Sequence, residues 1–192
     1  MAGLLILMWL PLILAIVYFI VTFNRLISRR NACTNARSSI DVNLTRRHEL
    51  IPNLVEAVRG YAAHERTTLE EVTSARQVAI AQLGGDGSAA AELRVGQSLA
   101  QLALRVEDYP ELKADAIFSQ LMRNLTEAEE QISASRRAFN GQVLRLNNLV
   151  QQFPTLIVAN IMGFKTLASF SAASTAHAPP AVALDQVPQH DG

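Results

Sequence analysis

The sequence predicts an all-α membrane protein: an N-terminal transmembrane helix, then an antiparallel up-and-down four-helix bundle with two long and two short helices. An uncharged apolar run fills residues 4–22. After it, apolar residues recur at spacings of three and four, typical of helices that bury one stripe, and no stretch alternates like a strand. We therefore predict an anchor over residues 1–23, a helical domain over 24–170 with an apolar membrane-proximal segment over 154–170, and a disordered tail over 171–192.

Composition limits the classes of partner and of covalent chemistry. The chain of 192 residues suits one compact domain, and its 17 Lys and Arg balance 17 Asp and Glu. A neutral chain gives no electrostatic reason to expect nucleic acid as a partner. Cys33 is the only cysteine, so an intramolecular disulfide is impossible and a packing role is the first expectation.

The apolar run from Leu4 to Thr22 is long enough for a membrane anchor, because about 20 helical residues rise about 30 Å. A cleaved signal peptide is the alternative. It requires positive charge before the run and small residues at a cleavage site after it. The run follows uncharged residues and continues into Phe23, Asn24 and Arg25, so an uncleaved anchor is favoured.

Basic residues at the end of the run predict its orientation. Arg25, Arg29 and Arg30 follow it directly, and no basic side chain precedes it. The positive-inside rule then places the N-terminus outside and the domain in the cytoplasm. We expect these arginines to contact anionic headgroups, and Trp9 and Tyr18 to lie towards the two interfaces.

The remaining apolar pattern predicts four helices. The first carries the stripe Ile40, Leu44, Ile51, Leu54 and Val58, is interrupted or kinked at Pro52, and ends at the turn marked by Gly60. The second and third are predicted over residues 64–83 and 88–107. The fourth is the longest and carries an apolar stripe that runs from Phe118 to Phe153.

Helix lengths predict how the chain returns to the membrane. At about 1.5 Å per residue, the first helix extends about 55 Å and the fourth about 60 Å, twice the other two. Phe153 would then return to the level of Phe23. Residues 155–170 either cap the bundle or contact lipid. The candidates for lipid contact are Ile157, Ile161 and Phe164.

Arg47 interrupts the apolar stripe of the first helix. A buried arginine requires a carboxylate partner, because an unpaired buried charge is very costly. From the helix lengths we hypothesise a pair with Glu129 or Glu130 on the fourth helix. The alternative is that Arg47 extends along the surface and places its guanidinium in solvent.

Several ordered motifs resemble the LemA family of bacterial membrane-anchored helical proteins. They are FNRLI at 23–27, SIDVNLTRRHELIPNLV at 39–55, GYAAHE at 60–65, EDYPELKA at 107–114, and a dispersed block over 129–147 followed by FP and GFK. The family positions are Asp41, Arg46, Arg47, Pro52, Asn53, Gly60, Tyr61, His64, Glu65, Glu107, Tyr109, Pro110, Phe118, Glu129, Arg136, Asn140, Asn147, Phe153, Pro154, Gly163 and Phe164.

Three positions depart from the family pattern. Arg37 stands where Trp is usual, Cys33 where an aliphatic residue is usual, and Phe139 where Tyr is common. The resemblance implies a helical bundle on the cytoplasmic side of the bacterial inner membrane and no defined activity. One relative is associated with magnetosome membranes, which suggests membrane organisation by analogy.

No motif predicts an enzyme. His48-Glu49 and His64-Glu65 match neither H-E-x-x-H nor the repeats of di-iron bundles, so we expect no catalytic site, metal or cofactor. The first functional hypothesis is a non-enzymatic scaffold that self-associates or docks partners at the cytoplasmic face. The alternative is an accessory regulatory subunit of a membrane enzyme or transporter. The expected partners are the lipid bilayer, further copies of the chain and a membrane protein.

Overall fold

The computed structural model describes residues 2–61, 65–85 and 88–170, with side chains from Trp9 onward. This part of the chain is helical and contains no strand, which confirms the all-α class. The predicted tail and His64 lie outside the described residues. The helices are α1 (Ala2–Arg59), α2 (Arg66–Ala81), α3 (Ser88–Val106), α4 (Pro110–Ala114), α5 (Ala116–Gln151) and α6 (Thr155–Ile161).

The first helix combines the apolar run and the first domain helix. It extends unbroken for 58 residues, with Pro11 and Pro52 inside it. Its N-terminal part is long and apolar enough to cross a membrane by length and composition. The large apolar side chains between Trp9 and Val21 are mostly exposed, as a membrane helix requires when no other protein segment covers it.

The helix continues through Pro52, so of the two predicted effects the interruption is wrong and the kink stays a prediction. Proline lacks the N–H that would bond to the carbonyl of His48 four residues earlier. Instead, Nε of Arg76 on α2 donates to that carbonyl at 2.7 Å. The ring of Pro52 is exposed. The proline therefore frees an acceptor that α2 uses to dock on α1.

The two long helices, α1 and α5, pack side by side in opposite directions. Asn43 donates to the hydroxyl of Ser135 at 2.8 Å, and the hydroxyl of Tyr61 donates to Asp115 at 3.2 Å. A residue further along α1 therefore contacts a residue nearer the N-terminal end of α5, as antiparallel helices require. Asp115 also caps α5, because its carboxylate accepts from the backbone N–H of Phe118 at 2.8 Å.

The short helices α2 and α3 form an antiparallel hairpin on the far end of α1. Glu65 before α2 lies 3.8 Å from Arg105 near the end of α3, and accepts a hydrogen bond from the hydroxyl of Tyr109 at 3.4 Å.

A cleft of about 340 Å³ lies between α3 and α5 and is lined mainly by apolar side chains, including Leu99 and Met122. Closure into a regular four-helix bundle stays a prediction.

Buried apolar residues form two clusters along the α1–α5 pair. The distal core joins α1 to α5 with the hairpin, and the proximal core joins α1, α5 and α6 near the apolar run. The distal core includes Ile51, Leu54, Val58, Leu69, Val72, Val95, Leu102, Leu112, Phe118 and Leu125. The proximal core includes Leu26, Cys33, Ile40, Leu44, Ile132, Phe139, Val143, Leu146, Val150 and Val158.

The end of the described chain returns along α5. After the cis Phe153–Pro154 bond, α6 places Val158 and Ala159 in the proximal core. Gly163 then turns the chain at φ +71°, a left-handed conformation that favours glycine. Residues 164–170, which we call the strap, follow without helix.

We predict that Arg76→Met lowers the free energy of unfolding by about 1–3 kcal/mol, because the carbonyl of His48 loses its donor. In a Pro52→Ala background the helix supplies its own N–H to that carbonyl, so the loss is smaller. Denaturant unfolding of the full chain in mild detergent, followed by circular dichroism, measures both. Arg94→Met, at an exposed position on α3, is the control. Equal losses from Arg76→Met in both backgrounds would contradict the explanation.

Candidate functional site

A buried polar cluster separates the two apolar cores. Arg47 and His48 on α1 and Glu92 on α3 are almost fully buried. The guanidinium of Arg47 contacts the carboxylates of both Glu92 and Glu129. Nε2 of His48 lies 2.9 Å from the same carboxylate of Glu92. The cluster therefore ties α1, α3 and α5 together at one level.

The structure decides between the partners considered for Arg47. Its guanidinium contacts Glu129 rather than Glu130, and it is buried rather than extended into solvent. Sequence reasoning missed Glu92, although the signal was present. Glu92 lies four residues after Ser88 and three before Val95, both of which are buried. That spacing places its carboxylate on the interior face of α3.

The charges of the cluster keep Glu92 ionised. Burial alone would raise the pKa of its carboxyl group, but the hydrogen bond with His48 and the positive charge of Arg47 outweigh burial. The net result is a pKa below the ordinary value. Glu92 therefore neutralises Arg47 inside the protein and acts as a structural ion-pair partner.

Glu65, one of the residues considered for acid–base or metal chemistry, has hydrogen-bond partners that suit a structural role. Glu65 accepts hydrogen bonds from the hydroxyls of Thr68 and Tyr109. Among the described residues, no group of three or more His, Cys, Asp or Glu could hold a metal ion. Cys33 is buried in the proximal core, and burial raises the pKa of its thiol, which disfavours the reactive thiolate.

The strap is bound to α5 by two asparagine side chains. The amide of Asn147 donates to the carbonyl of Leu167 and accepts from its N–H, both at 2.9 Å. Asn140 makes the same two bonds with Phe170, at 2.9 Å and 2.7 Å. Seven residues of helix rise about 10.5 Å, which three strap residues cover only when extended. The strap therefore runs antiparallel to α5 as an extended peptide.

The ring of Phe170 contacts two arginines. The guanidinium carbons of Arg37 and Arg136 lie 5.0 Å and 5.4 Å from its centroid, within cation–π distance. Phe139 meets the ring edge-on at a centroid separation of 6.0 Å. Arg37 thus places a flat cationic group on the ring. Two of the three positions that depart from the LemA-like pattern, Arg37 and Phe139, both contact the strap.

The remaining motif positions form surface ion pairs, lie in the distal core or are exposed. Arg46 on the surface of α1 lies 3.3 Å from Glu127, and Arg37 lies 3.8 Å from Asp41. Phe118 is buried in the distal core. The positions that are exposed at helix surfaces, helix ends or turns are Pro52, Asn53, Gly60, Tyr61, Glu107, Pro110, Phe153, Pro154 and Gly163.

The helix α6 lies beside the end of the apolar run. Phe19 and Phe23 of α1 pack against the proximal core, which also contains Val158 and Ala159 of α6. Phe164, a candidate for lipid contact, is half-buried and meets Phe23 edge-on at 6.3 Å between centroids. Among the other candidates, Trp9, Tyr18, Arg25, Arg29 and Arg30 are exposed.

An exposed apolar stripe remains at this end of the molecule. It consists of Phe153, Ile157 and Ile161, which are 81 %, 51 % and 67 % exposed. Their spacing of four places Ile157 and Ile161 on one side of α6, with Phe153 just before the helix. Three large apolar side chains therefore face outward at the level where the apolar run ends.

The fold also separates charge along the α1–α5 pair. Residues 1–40 and 131–170, which form the proximal half, contain eight Lys or Arg and no Asp or Glu. Residues 41–130 contain nine basic and fifteen acidic residues. The neutral chain is thus strongly basic beside the apolar run and acidic at the far end. The eight basic residues are Arg25, Arg29, Arg30, Arg37, Arg136, Arg137, Arg145 and Lys165.

We predict that the ion pair makes stability depend on acid pH. Because the folded state lowers the pKa of Glu92, its contribution is complete above the unfolded value of about 4.3 and is lost as pH falls through the folded pKa. Glu92→Gln should cost about 3–5 kcal/mol at neutral pH, since Arg47 loses a buried partner, and should weaken the decline of stability below about pH 4.3.

Unfolding of the full chain in detergent at several pH values measures these effects. Glu130→Gln, at the exposed neighbour of Glu129, is the matched control and should change little. The double variant Arg47→Met/Glu92→Leu should recover part of the lost stability, because it leaves no buried charge unpaired. The carboxylate of Glu129, which loses Arg47, is 46 % exposed and is solvated. A Glu92→Gln variant as stable as Glu130→Gln would show that the ion pair contributes nothing.

Comparison with known proteins places this architecture in a family. Magnetosome protein MamQ of Magnetospirillum gryphiswaldense is 26 % identical, covering 82 % of this chain and 69 % of its own length. Protein LemA of Metamycoplasma hominis is 27 % identical, covering 84 % and 75 %. Magnetosome protein MamQ 2 of Paramagnetospirillum magneticum is 25 % identical, covering 80 % and 67 %. The model of the LemA family matches residues 36–184, and the chain therefore belongs to the LemA family.

Proposed function

We propose that this LemA-family protein is a non-enzymatic scaffold at the cytoplasmic face of the bacterial inner membrane, where it holds further copies of itself or partner proteins. The observation that carries the proposal is the position of α6. Its exposed apolar stripe lies beside the end of the apolar run of α1, so a membrane that contains the run also meets the stripe. The chain then has two contacts with one bilayer.

The second contact is strong enough to orient the domain. Transfer of a large apolar side chain out of water is favourable by about 1.5–3 kcal/mol when burial is complete. Partial insertion of Phe153, Ile157 and Ile161 therefore supplies a few kcal/mol. A single helix through the bilayer leaves the domain free to tilt and rotate. A second contact fixes which face of the domain points along the membrane surface.

Charge separation supports the proposed orientation. The proximal half carries only basic side chains, and basic residues next to a membrane helix favour the cytoplasmic side. Anionic lipids of that leaflet attract each nearby Lys or Arg by about 1 kcal/mol. The acidic distal half is repelled from the same surface. The long axis of the domain therefore stands away from the bilayer and presents the α2–α3 hairpin to the cytoplasm.

The buried polar groups support a structural rather than a catalytic role. Arg47, His48, Glu92 and Glu129 are bonded to one another, which joins α1, α3 and α5 in a fixed register. Two relatives are named magnetosome proteins, which favours an organising role by analogy. A rigid bundle with a fixed membrane-facing end is suited to present the same surface in every copy.

The alternative function is that of an accessory subunit of a membrane enzyme or transporter. The open cleft between α3 and α5 favours it. Gly96, Ala100 and Ala103 line the α3 side of this cleft, and Leu99 and Met122 provide apolar surface. Small residues allow close approach of a helix, and an apolar groove is a common receptor for an amphipathic partner helix.

We predict that a nitroxide attached at Ile161→Cys lies in the bilayer interface. The measurement is the collision of the label with oxygen and with a water-soluble nickel complex, in the full chain with Cys33→Ala, in lipid nanodiscs. A label at Ile117→Cys is the control, because Ile117 is 69 % exposed and Ile161 67 % exposed, and Ile117 lies at the distal end. The label should collide more often with oxygen than with the nickel complex at position 161, but not at position 117. Equal nickel accessibility at both positions would contradict the second membrane contact.

We further predict that the full chain in nanodiscs or mild detergent is larger than one 21.0 kDa protomer or copurifies with a membrane protein. Mass measurement by light scattering separates these results from a monomer. Several copies support the scaffold, and one dominant enzyme or transporter in proximity labelling supports the accessory subunit. A strict monomer with no copurifying protein counts against both functions.

A further inference from the structure

A second cleft opens where the strap meets α1, just beyond the end of the apolar run. Its volume is about 380 Å³. Two basic side chains line it, Arg30 from α1 and Lys165 from the strap. The remaining lining is almost entirely apolar and comes from both long helices and the turn before the strap, with Phe23, Ile27, Leu146 and Met162 as its main members. The cleft therefore combines two cations with an apolar wall.

The depth of this cleft corresponds to the headgroup layer of a membrane. If the hydrocarbon ends at Thr22, the rise of about 1.5 Å per residue places Phe23 at its edge and Arg30 about 12 Å beyond Thr22 along the helix axis. The polar layer of a bilayer is about 5–8 Å thick on each side, and a tilted helix crosses it over a longer distance. The arginine side chain also extends several ångströms. The cleft thus spans the layer in which phosphates lie.

The strap fixes the position of Lys165. Phe164, the residue before it, packs on Phe23, and Leu167, two residues after it, is bound through its backbone by Asn147. Neither Lys165 nor Arg30 forms an ion pair with the residues that the structure describes. The proximal half contains no carboxylate side chain that could neutralise them. Among residues 2–61, 65–85 and 88–170, nothing neutralises the two cations, and an external anion can reach both.

We propose that this cleft binds the phosphate of one anionic phospholipid of the cytoplasmic leaflet. Arg30 and Lys165 contact the phosphate oxygens, and the apolar wall takes the first part of an acyl chain. Arginine matches a phosphate with two parallel N–H donors, and lysine adds a point charge. The inference rests on the proposed membrane-facing platform and adds a defined lipid site to it.

Titration of the full chain in detergent with dioleoyl phosphatidylglycerol, followed by native mass spectrometry, tests the site. Wild type should retain one lipid with a defined binding constant. Arg30→Gln/Lys165→Gln should weaken that constant at least about tenfold, because two basic contacts are each worth about 1 kcal/mol. Arg137→Gln/Arg145→Gln removes the same charge from exposed proximal positions outside the cleft. This control should change the constant less than about threefold.

Three results would overturn the lipid site. They are no retained lipid in wild type, equal weakening in the two double variants, and displacement of the lipid by millimolar glycerol 3-phosphate, which would indicate a site for a soluble phosphate. The nitroxide measurement at position 161 distinguishes failure of the lipid site from failure of the proposed function. A label inside the bilayer with no retained lipid removes only the lipid site, whereas a label outside it removes the platform on which the site rests.

Discussion

The unbroken helix α1 sets the distance of every other part of the described chain from the membrane. Because the apolar run and the domain share one helix axis, each residue after Thr22 moves about 1.5 Å along it. The distance between the membrane and any segment packed on α1 is therefore set by the residues of α1 that the segment contacts. The proximal core begins at the end of the run, and the hairpin packs more than about 40 Å further along the axis, near residues 51–58. A break in α1 would separate these levels from the bilayer, so the docking of Arg76 at Pro52 matters for the whole arrangement.

The buried polar cluster lies at a level where three helices, α1, α3 and α5, meet between the two cores. Apolar contacts tolerate small slips along a helix, whereas a guanidinium between two carboxylates does not. Arg47 therefore holds α1 against α3 and α5, at the cost of desolvating its charge. The proximal core is held differently, by apolar packing and by the amide bonds of Asn140 and Asn147 to the strap. Polar side chains with defined partners therefore fix the packing at two places, which are the boundary between the two cores and the strap at the end of the described chain.

Much of the fold followed from sequence periodicity, because burial of one helical stripe imposes spacings of three and four. The level of Arg47 followed from counting residues along antiparallel helices, and that count led to Glu129 or Glu130, of which the structure pairs Glu129 with Arg47. Other features depend on tertiary contacts without a periodic signal. Arg76 satisfies a carbonyl that only the folded hairpin brings within reach, and Asn147 binds backbone, which any sequence provides. The inward position of Phe164 arises in the same way, since the turn at Gly163 directs the strap onto Phe23.

Two contacts with one bilayer distinguish this account from a domain that is simply tethered. The proximal half is basic, carries an outward apolar stripe and ends in a strap that closes a cationic cleft, all within a few helical turns of the apolar run. The most direct test is a structure of the full-length protein in lipid nanodiscs. The account predicts that Ile157 and Ile161 lie within the headgroup density of the leaflet that α1 leaves. Density for α6 separated from the bilayer by a layer of solvent would contradict it.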